Sequence, residues 1–367
     1  MIETLTVTSS RAEYDLLFPL LSLMRKSNKI NNRLVICGSH LNQKFGKTIR
    51  DIKKDKFRNI FLIDSLKLQP EDSNFTMLSS FKIFFSKFSS FVKNKKIDLI
   101  LILGDRYEAF AASICAYFLN IPIVHISGGD TSLGSKDEAF RNSISLMSSL
   151  HFVKIDKHKK KLVSMGVPKE KIFITGSLSN DNFKKKFTKK FFLKKPFVLI
   201  TFHSVTNSKN KKDSNIENLL KSLEKLNLYN LLFTSSNHDV GGKKINSTIN
   251  KFVKTHKNSF FVHNLGRDLY HQAMKECEFM IGNSSSGIIE SMIYKKPAIN
   301  ILPRQLGRYA NNNVINVLNN VDEIDKAIKT AISTKFRLKC KKLKNHFKNE
   351  SNKPSDIMIK KILKYYG

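Results

Sequence analysis

Short apolar runs that alternate with helix-length stretches are the feature that most constrains the fold of this chain. In the first half they lie at 5–8, 33–37, 59–63, 98–103, 123–126, 150–153 and 171–175. Several are apolar throughout, which is typical of parallel strands covered by helices on both faces. A parallel connection needs a dozen or more residues, and most of the intervening stretches are long enough to supply them as helices. The pattern predicts an α/β fold.

The alternation stops at the lysine-rich stretch before Pro196 and then starts again. Strand-like runs follow at 197–201, 231–235, 260–263, 279–282 and 298–301, and the basic tail beyond Val321 has a helical pattern. We therefore predict two Rossmann-like, doubly wound domains, at 1–185 and 186–345. A helical tail at 346–367 is expected to pack on the N-terminal domain. Ligands of such domains are expected in the cleft at the carboxyl ends of the strands.

The net charge is +34, from 64 Lys and Arg against 30 Asp and Glu, and a field of this size would ordinarily suggest an anionic partner. Lysine is abundant throughout, and its clusters lie between apolar segments, so we predict no nucleic-acid binding. An anionic small substrate is compatible with the charge. The four cysteines lack zinc-site spacing and disulfide density, and no signal peptide or membrane span is evident. We expect a cytoplasmic protein without a metal site.

Acidic side chains follow two predicted strands of the first half. Asp105 follows one strand within the sequence GDRYE, and Asp130 follows the next within HISGGD. Asp137 and Arg141 come shortly after, four residues apart and therefore on one helix face. Carboxylates gathered in a dry site raise one another's pKa, so a general acid and a general base can coexist near neutral pH. The alternatives are a helix N-cap for Asp105 and a surface ion pair for Asp137 with Arg141.

Two motifs of the second half suit an anionic ligand. His203, in TFHSVT, could donate to a phosphate or transfer a proton, although a structural histidine fits the spacing equally well. The strand at 279–282 leads through NSSSG into a helix, where hydroxyl and backbone N–H groups suit a pyrophosphate. Glu290, about one turn later, could accept hydrogen bonds from ribose hydroxyls. An ordinary serine N-cap is the alternative. No GxGxxG follows the first strand, so a nicotinamide dinucleotide is not expected, and no Walker motif is present either.

These motifs together resemble the hydrolysing UDP-N-acetylglucosamine 2-epimerase family. The segments that carry the resemblance, in order over most of residues 1–320, are TSSRAEYDLLFPLL, GDRYEAFAASICAYFLNIPIVHISGGD, DEAFRNSIS, MSSLHFV, TFHSVT, IGNSSSGIIE and PRQLGR. The resemblance implies two Rossmann-like domains in the glycosyltransferase-B arrangement, with the nucleotide held mainly by the C-terminal one. It also implies that no cofactor is needed and that the protein is a homodimer.

The family reaction converts a UDP- or GDP-linked N-acetylglucosamine-type sugar into a free N-acetylmannosamine-type sugar and nucleoside diphosphate, which supplies sialic or nonulosonic acid synthesis. A base removes the C2 proton, the nucleoside diphosphate leaves C1 to give a glycal, and water then adds. The resemblance places Asp105 and Asp137 at acid/base positions and Arg141 at a supporting charge. Ser127 stands where family members often have Glu or His, and Asp130 is the carboxylate that could replace that group.

The resemblance also assigns the nucleotide-binding side. His203 matches the histidine that faces the diphosphate, and we count it with the three aspartates as catalytic. The residues predicted to bind substrate are Arg11, Arg141, Asn237, Ser284, Ser285, Ser286, Gly287 and Glu290. The alternatives left open are a non-hydrolysing 2-epimerase and a nucleotide-sugar-binding protein with impaired catalysis.

Overall fold

The computed structural model describes residues 1–43, 48–66, 73–183, 186–187, 190–207, 215–237 and 239–367. They form two compact units: Met1–Asp130, Asp137–Asn182 and His346–Gly367 make the first, and Thr131–Lys136 with Phe183–Asn345 make the second.

The segment Thr131–Lys136 lies inside the range 1–185 predicted for the N-terminal domain, yet it packs with the second unit. Its Leu133 N–H donates to the Leu306 carbonyl at 3.0 Å, and its Lys136 N–H donates to Thr206 Oγ1 at 3.2 Å. These hydrogen bonds join it to loops of the second unit, which the local sequence pattern does not reveal.

Each unit contains one parallel sheet. The strands are β1 (Ile2–Thr8), β2 (Ile30–Cys37), β3 (Ile60–Ile63), β4 (Leu99–Leu103), β5 (Ile123–Ile126), β6 (Leu150–Val153) and β7 (Ile172–Ile174) in the first unit, and β8 (Phe197–Thr201), β9 (Asn230–Thr234), β10 (Ser259–Val262), β11 (Met280–Gly282), β12 (Ala298–Ile301) and β13 (Val314–Val317) in the second. Their orders are β3-β2-β1-β4-β5-β6-β7 and β10-β9-β8-β11-β12-β13, with every pairing parallel. The strand order reverses between β1 and β4 and between β8 and β11, which are the positions where open α/β sheets bind ligands.

Helices connect the strands. They are α1 (Arg11–Lys26), α2 (Ile49–Lys54), α3 (Asn74–Val92), α4 (Tyr107–Phe118), α5 (Asp137–Met147), α6 (Asp156–Ser164), α7 (Glu217–Leu223), α8 (Gly242–Thr255), α9 (Gly266–Glu276), α10 (Ser285–Ile289), α11 (Val321–Ile332), α12 (Thr334–Lys342) and α13 (Pro354–Tyr366). The terminal helix α13 packs against α1 and buries Met358 and Ile362 in the core of the first unit. Within the described ranges, no helix is both long and apolar enough to cross a membrane.

Strand β4 shows why the first sheet is buried on both faces. Its sequence LILIL is fully buried, with Leu99, Leu101 and Leu103 in one core and Ile100 and Ile102 in the other. Successive side chains of a strand point to opposite faces, so an unbroken apolar run fills two cores at once. The predicted α/β class, with two Rossmann-like parallel sheets, is confirmed.

Candidate functional site

The carboxyl end of β4 presents Asp105 at the switch point of the first unit. Gly104, at φ +78°, turns the chain out of the strand. The Asp105 Oδ2 atom accepts a hydrogen bond from Arg141 Nε at 2.7 Å, and Arg141 Nη2 contacts the same oxygen. Arg141 is 2 % exposed whereas the Asp105 side chain is 22 % exposed. The structure therefore brings together two residues that the sequence singled out, with the carboxylate on the accessible side.

Arg141 is a buried cation with several acceptors. Its Nη1 donates to Glu138 Oε2 at 2.7 Å and to the Asp130 carbonyl at 3.0 Å. Burial alone would lower the pKa of Arg141, but Asp105, Asp130 and Glu138 raise it above its usual value. A buried charge is stable only when paired in this way. Arg141 is thus a fixed positive charge beside Asp105.

Asp130 is enclosed rather than presented at the surface. It is 2 % exposed, and Oδ2 accepts from Lys154 Nζ at 2.8 Å while Oδ1 lies 3.5 Å from His158 Nε2. The preceding Gly129 has φ +71°, and a Cβ there would lie 2.3 Å from the His158 carbonyl oxygen. Only glycine allows this close approach of the loop to α6. The carboxylate of Asp130 therefore pairs with Lys154 at the end of β6 and lies beside His158 at the start of α6, and its catalytic role stays a prediction.

Asp137 and Ser127 complete the sequence-predicted positions of the first unit. Asp137 is half-buried in the first turn of α5, directly before Glu138. Ser127 has φ +73°, in the left-handed region that non-glycine residues rarely adopt, and its N–H donates to the Phe152 carbonyl at 2.8 Å. Backbone strain of this kind is often found at functional sites, and the role of Ser127 stays a prediction.

His125 contacts the backbone of the turn that carries Asp105, a role that its place in the HISGGD motif did not reveal. Its Nε2 lies 2.8 Å from the Gly104 carbonyl, and its Nδ1 lies 3.0 Å from Ser145 Oγ. Burial lowers the pKa of His125 to about 3, so the ring is neutral at neutral pH. A neutral ring that donates from Nε2 and accepts at Nδ1 satisfies both contacts. His125 thus fixes the turn that carries Asp105.

The turn between β1 and α1 carries Arg11. Its Nε pairs with Asp15 Oδ2 at 3.0 Å, one helical turn later. Glu13 closes the turn, because its Oε2 accepts from Ser9 N at 2.7 Å and from Ser10 N at 3.1 Å. The Ser10 side chain in turn caps the helix, which makes a capping box. Arg11 is therefore fixed at the start of α1, beside the switch point.

Glu13 and Glu108 are two largely buried acidic residues, one on each of the two turns at this switch point, and Arg106 lies close to both. Arg106 Nε is 3.3 Å from Glu108 Oε2 and 3.9 Å from Glu13 Oε1. Burial, partly offset by Arg106 and reinforced by Glu108, raises the pKa of Glu13 to about 7. These side chains join the turn that bears Arg11 to the turn that bears Asp105.

In the second unit, His203 lies just beyond β8 at the switch point. The His203 N–H donates to Asn283 Oδ1 at 2.7 Å, and Asn283 Nδ2 donates back to the His203 carbonyl at 2.8 Å. The Asn237 N–H donates to His203 Nδ1 at 3.1 Å, which places the proton of the neutral ring on Nε2. Asn237 itself is held through Asp239, to which its Nδ2 donates. The structure thus places His203 beside Asn237 with Nε2 as the donor.

The loop after β11 presents a row of hydroxyl groups. Ser284 caps α10 by accepting from the Ser286 N–H at 3.4 Å, and Tyr270 Oη lies 2.6 Å from Ser286 Oγ. Ser285 opens α10, Gly287 follows with open space where a Cβ would lie, and Glu290 is the half-buried C-cap. A small cavity in this unit is lined by Leu199, Thr201, Met280, Ile281, Gly282, Ser284, Ser286, Gly287, Ile299 and Asn300.

Arg304 and Gln305 are further candidate site residues, which the sequence analysis did not single out. Arg304 Nη1 and Gln305 Nε2 donate to the Asn283 carbonyl at 3.3 and 2.9 Å, and Arg304 Nη2 is 3.9 Å from Asp239 Oδ2. The PRQLGR motif that contains them was a signal for this position. In the part of the chain that the structure describes, no cluster of His, Cys, Asp or Glu could hold a metal ion.

Comparison with known proteins agrees with this arrangement. A family model described as UDP-N-acetylglucosamine 2-epimerase matches residues 23–357. The GDP/UDP-N,N'-diacetylbacillosamine 2-epimerase (hydrolyzing) of Campylobacter jejuni is 36 % identical over 90 % of this chain and 88 % of that protein. The polysialic acid biosynthesis protein P7 of Escherichia coli is 33 % identical over 92 % of this chain and 88 % of that protein.

A solved structure shows the same fold. The crystal structure of UDP-GlcNAc 2-epimerase from Neisseria meningitidis bound to UDP-GlcNAc matches with a TM-score of 0.80, at 18 % identity. The match covers 99 % of this chain and 100 % of that one. At this identity the likeness establishes the fold alone.

Proposed function

Because the chain belongs to the UDP-N-acetylglucosamine 2-epimerase family, we propose that it is a hydrolysing 2-epimerase. Its substrate is a nucleoside-diphosphate-linked 2-acetamido sugar, and its products are a free N-acetylmannosamine-type sugar and nucleoside diphosphate. The observation that carries the hydrolysing mode is the 36 % identity, over 90 % of the chain, to a relative named as a hydrolysing enzyme. The buried Arg141 beside Asp105 supports 2-epimerase chemistry of either mode, since removal of the C2 proton needs a positioned carboxylate.

We assign the chemical steps to the first unit. A carboxylate removes the C2 proton, the nucleoside diphosphate leaves C1 to form the 2-acetamidoglucal, and water adds with inverted configuration at C2. Asp105 and Asp137 are the acid/base pair, since Asp105 is accessible and Asp137 lies on the same helix as the arginine that holds Asp105. Asp130 contributes charge to this group through its contacts with Lys154 and His158.

We assign nucleotide binding mainly to the second unit. His203 Nε2 and the hydroxyl groups of the loop after β11 supply donors for the diphosphate, because phosphate oxygens accept from N–H and O–H groups. Glu290 is the acceptor for ribose hydroxyls, and Asn237 adds its side-chain amide. Arg11, at the start of α1 in the first unit, adds a positive charge that suits an anionic substrate.

The test is proton NMR in deuterated water with four substrates, which are the UDP- and GDP-linked forms of N-acetylglucosamine and of N,N'-diacetylbacillosamine. The expected result is a free 2-epimeric sugar deuterated at C2, together with nucleoside diphosphate, from at least one substrate. Comparison of the four substrates identifies which nucleotide and which sugar the enzyme accepts.

The same NMR samples, together with calorimetry, distinguish the two alternatives. Deuterium at C2 of a sugar still joined to its nucleotide would show a non-hydrolysing epimerase. Nucleotide binding by calorimetry without any turnover would show a binding protein and would reject the proposed enzyme.

We also propose that the protein is a homodimer joined through the first unit. At the end of α4, Tyr117 is 60 %, Phe118 78 % and Leu119 46 % exposed, and Leu146 near the end of the neighbouring α5 is 59 % exposed. Large apolar side chains clustered at a surface mark an association site. Light scattering should give twice the monomer mass for the wild type and the monomer mass for Phe118→Asp. The matched control is Phe192→Asp, at a residue of the second unit that is 55 % exposed, and a monomeric wild type would refute this proposal.

We place the protein in the cytoplasm. All four cysteines, Cys37, Cys115, Cys277 and Cys340, are free and buried, and secreted proteins usually pair theirs. Fractionation of cells that express the chain, with immunoblotting of each fraction, tests this location.

A further inference from the structure

We propose that Lys161 is a positioning residue that holds Arg141 on Asp105 and thereby sets the pH range in which the Asp105 carboxylate works. The proposal deepens the function proposed above and rests on it for its kinetic consequences. Lys161 Nζ donates to Glu138 Oε1 at 2.6 Å and to the Asp130 carbonyl at 3.0 Å. Lys161 lies on α6, whereas Glu138 lies on α5 and Asp130 in the loop after β5.

Lys161 and Arg141 share the same two acceptors. Arg141 Nη1 also contacts Glu138, through Oε2 at 2.7 Å, and the Asp130 carbonyl at 3.0 Å. Glu138 therefore accepts a hydrogen bond from the Arg141 guanidinium through one carboxylate oxygen and from the Lys161 ammonium through the other. Because both acceptors are fixed by Lys161, the guanidinium is fixed as well, and its Nε and Nη2 point at Asp105.

Ion pairs connect the carboxylates of this group to its cations. Asp105, Asp130 and Glu138 pair with Arg141, Lys154 and Lys161 as described above. Substituting Lys161 by a neutral residue removes one positive charge from a largely buried site, and the loss of a neighbouring positive charge raises the pKa of a carboxyl group. It also frees Glu138 to draw Arg141 away from Asp105. Both effects make the Asp105 carboxyl harder to ionise.

Other titratable groups surround the Arg141–Asp105 pair, and all of them are present in every Lys161 variant. The groups carried by the elements packed around it are Arg106 and Glu108 on the β4–α4 turn and α4, His125 on β5, Asp130 after β5, Asp137 and Glu138 on α5, Lys154 after β6, and His158 on α6. His125 is neutral at neutral pH, so it adds no charge change in that range.

Lys161 is a better position for substitution than Lys154 because it lies at the edge of the ion-pair group around Arg141. Its side chain is 27 % exposed, whereas Lys154 is 10 % exposed and pairs with the buried Asp130 carboxylate. Substituting Lys161 therefore leaves the Lys154–Asp130 pair intact. Lys160 is the matched control, since it is the next residue on the same helix and is 79 % exposed in a pair with Asp156.

The experiment compares Lys161→Gln, Lys161→Arg and Lys160→Gln with the wild type. In the kcat profile against pH, the limb that reports Asp105 should move up by about one pH unit in Lys161→Gln, with little change in KM. Lys161→Arg should restore the wild-type profile, and Lys160→Gln should match it. A Lys161→Gln profile that superimposes on the wild type would overturn the proposal. A rise in KM alone, with an unmoved profile, would equally overturn it.

A second readout does not depend on turnover. Protein labelled with ¹³C at the aspartate carboxyl carbons is titrated by NMR, and the Asp105 signal is assigned as the one missing in Asp105→Asn. The Asp105 titration should move to higher pH in Lys161→Gln and stay in place in Lys161→Arg and Lys160→Gln. If the wild type turned over no nucleotide sugar, the proposed function would fail, whereas this titration would still decide the role of Lys161. Should Lys161→Gln not fold, Lys161→Met replaces it in this titration, where a shift of the Asp105 signal to higher pH would support the proposal and a wild-type titration would overturn it.

Discussion

Replacing Asp105 by Asn is expected to lower kcat for sugar release by about 10²–10⁴-fold while leaving nucleoside diphosphate binding nearly unchanged. Asparagine has the same shape and keeps an oxygen that can accept from Arg141 Nε, which donates to Asp105 at 2.7 Å. It cannot, however, take up and release a proton. Steady-state release of nucleoside diphosphate measures the first effect. Calorimetry measures the second, because the chain has no Trp for fluorescence.

The control for Asp105→Asn is Asp156→Asn, which removes an exposed carboxylate that pairs with Lys160. That variant should keep wild-type kcat. Wild-type turnover in Asp105→Asn would remove Asp105 from the acid/base chemistry. A parallel loss of nucleotide binding would instead mean that the carboxylate serves chiefly to hold the site together.

The fold was predictable wherever a strand is buried on both faces. Strands β5 and β6 lie where the apolar runs at 123–126 and 150–153 placed them, because a fully buried strand needs an unbroken apolar sequence. Strand β13 was not predicted. Its sequence VINV is half-exposed at the edge of the second sheet and follows three asparagines, so neither an apolar run nor an alternation marks it. The helix α2 has only six residues and is too short to show a period.

Candidate site residues could be identified from the sequence where their position on the chain is itself the signal. Asp105 and Asp137 could be singled out because each follows a strand or opens a helix, and Arg141 because it lies one turn from Asp137. The roles of Glu138, Lys154 and Lys161 could not be inferred in this way. Their contacts join α5, the end of β6 and α6, which become neighbours only through the order β4-β5-β6 of the sheet. The enclosure of Asp130 is likewise a consequence of packing, since its sequence position resembles that of Asp105.

Glu13 gives a large expected effect of pH on stability between its unfolded and folded pKa values. Burial, against the opposing charge of Arg106 and with the added negative charge of Glu108, raises its pKa from 4.5 to about 7. In the unfolded chain the group loses its proton near pH 4.5, whereas the folded chain holds that proton up to about pH 7. The unfolded state therefore binds fewer protons across this window, and the free energy of unfolding falls as pH rises through it. At 1.36 kcal/mol per pKa unit, the total loss above pH 7 is about 3 kcal/mol.

Glu13→Gln isolates this effect, because glutamine cannot ionise but keeps an oxygen to accept from Ser9 and Ser10. The free energy of unfolding, measured by urea denaturation with circular dichroism, should favour the variant increasingly from pH 5 to pH 8. The gain relative to the wild type should approach about 3 kcal/mol at the upper end. Glu170→Gln, at an exposed glutamate of the same unit, should show a difference that stays constant with pH. A constant difference for Glu13→Gln as well would mean that the Glu13 carboxyl titrates alike in the folded and unfolded chain, and that Arg106 holds it ionised despite its burial.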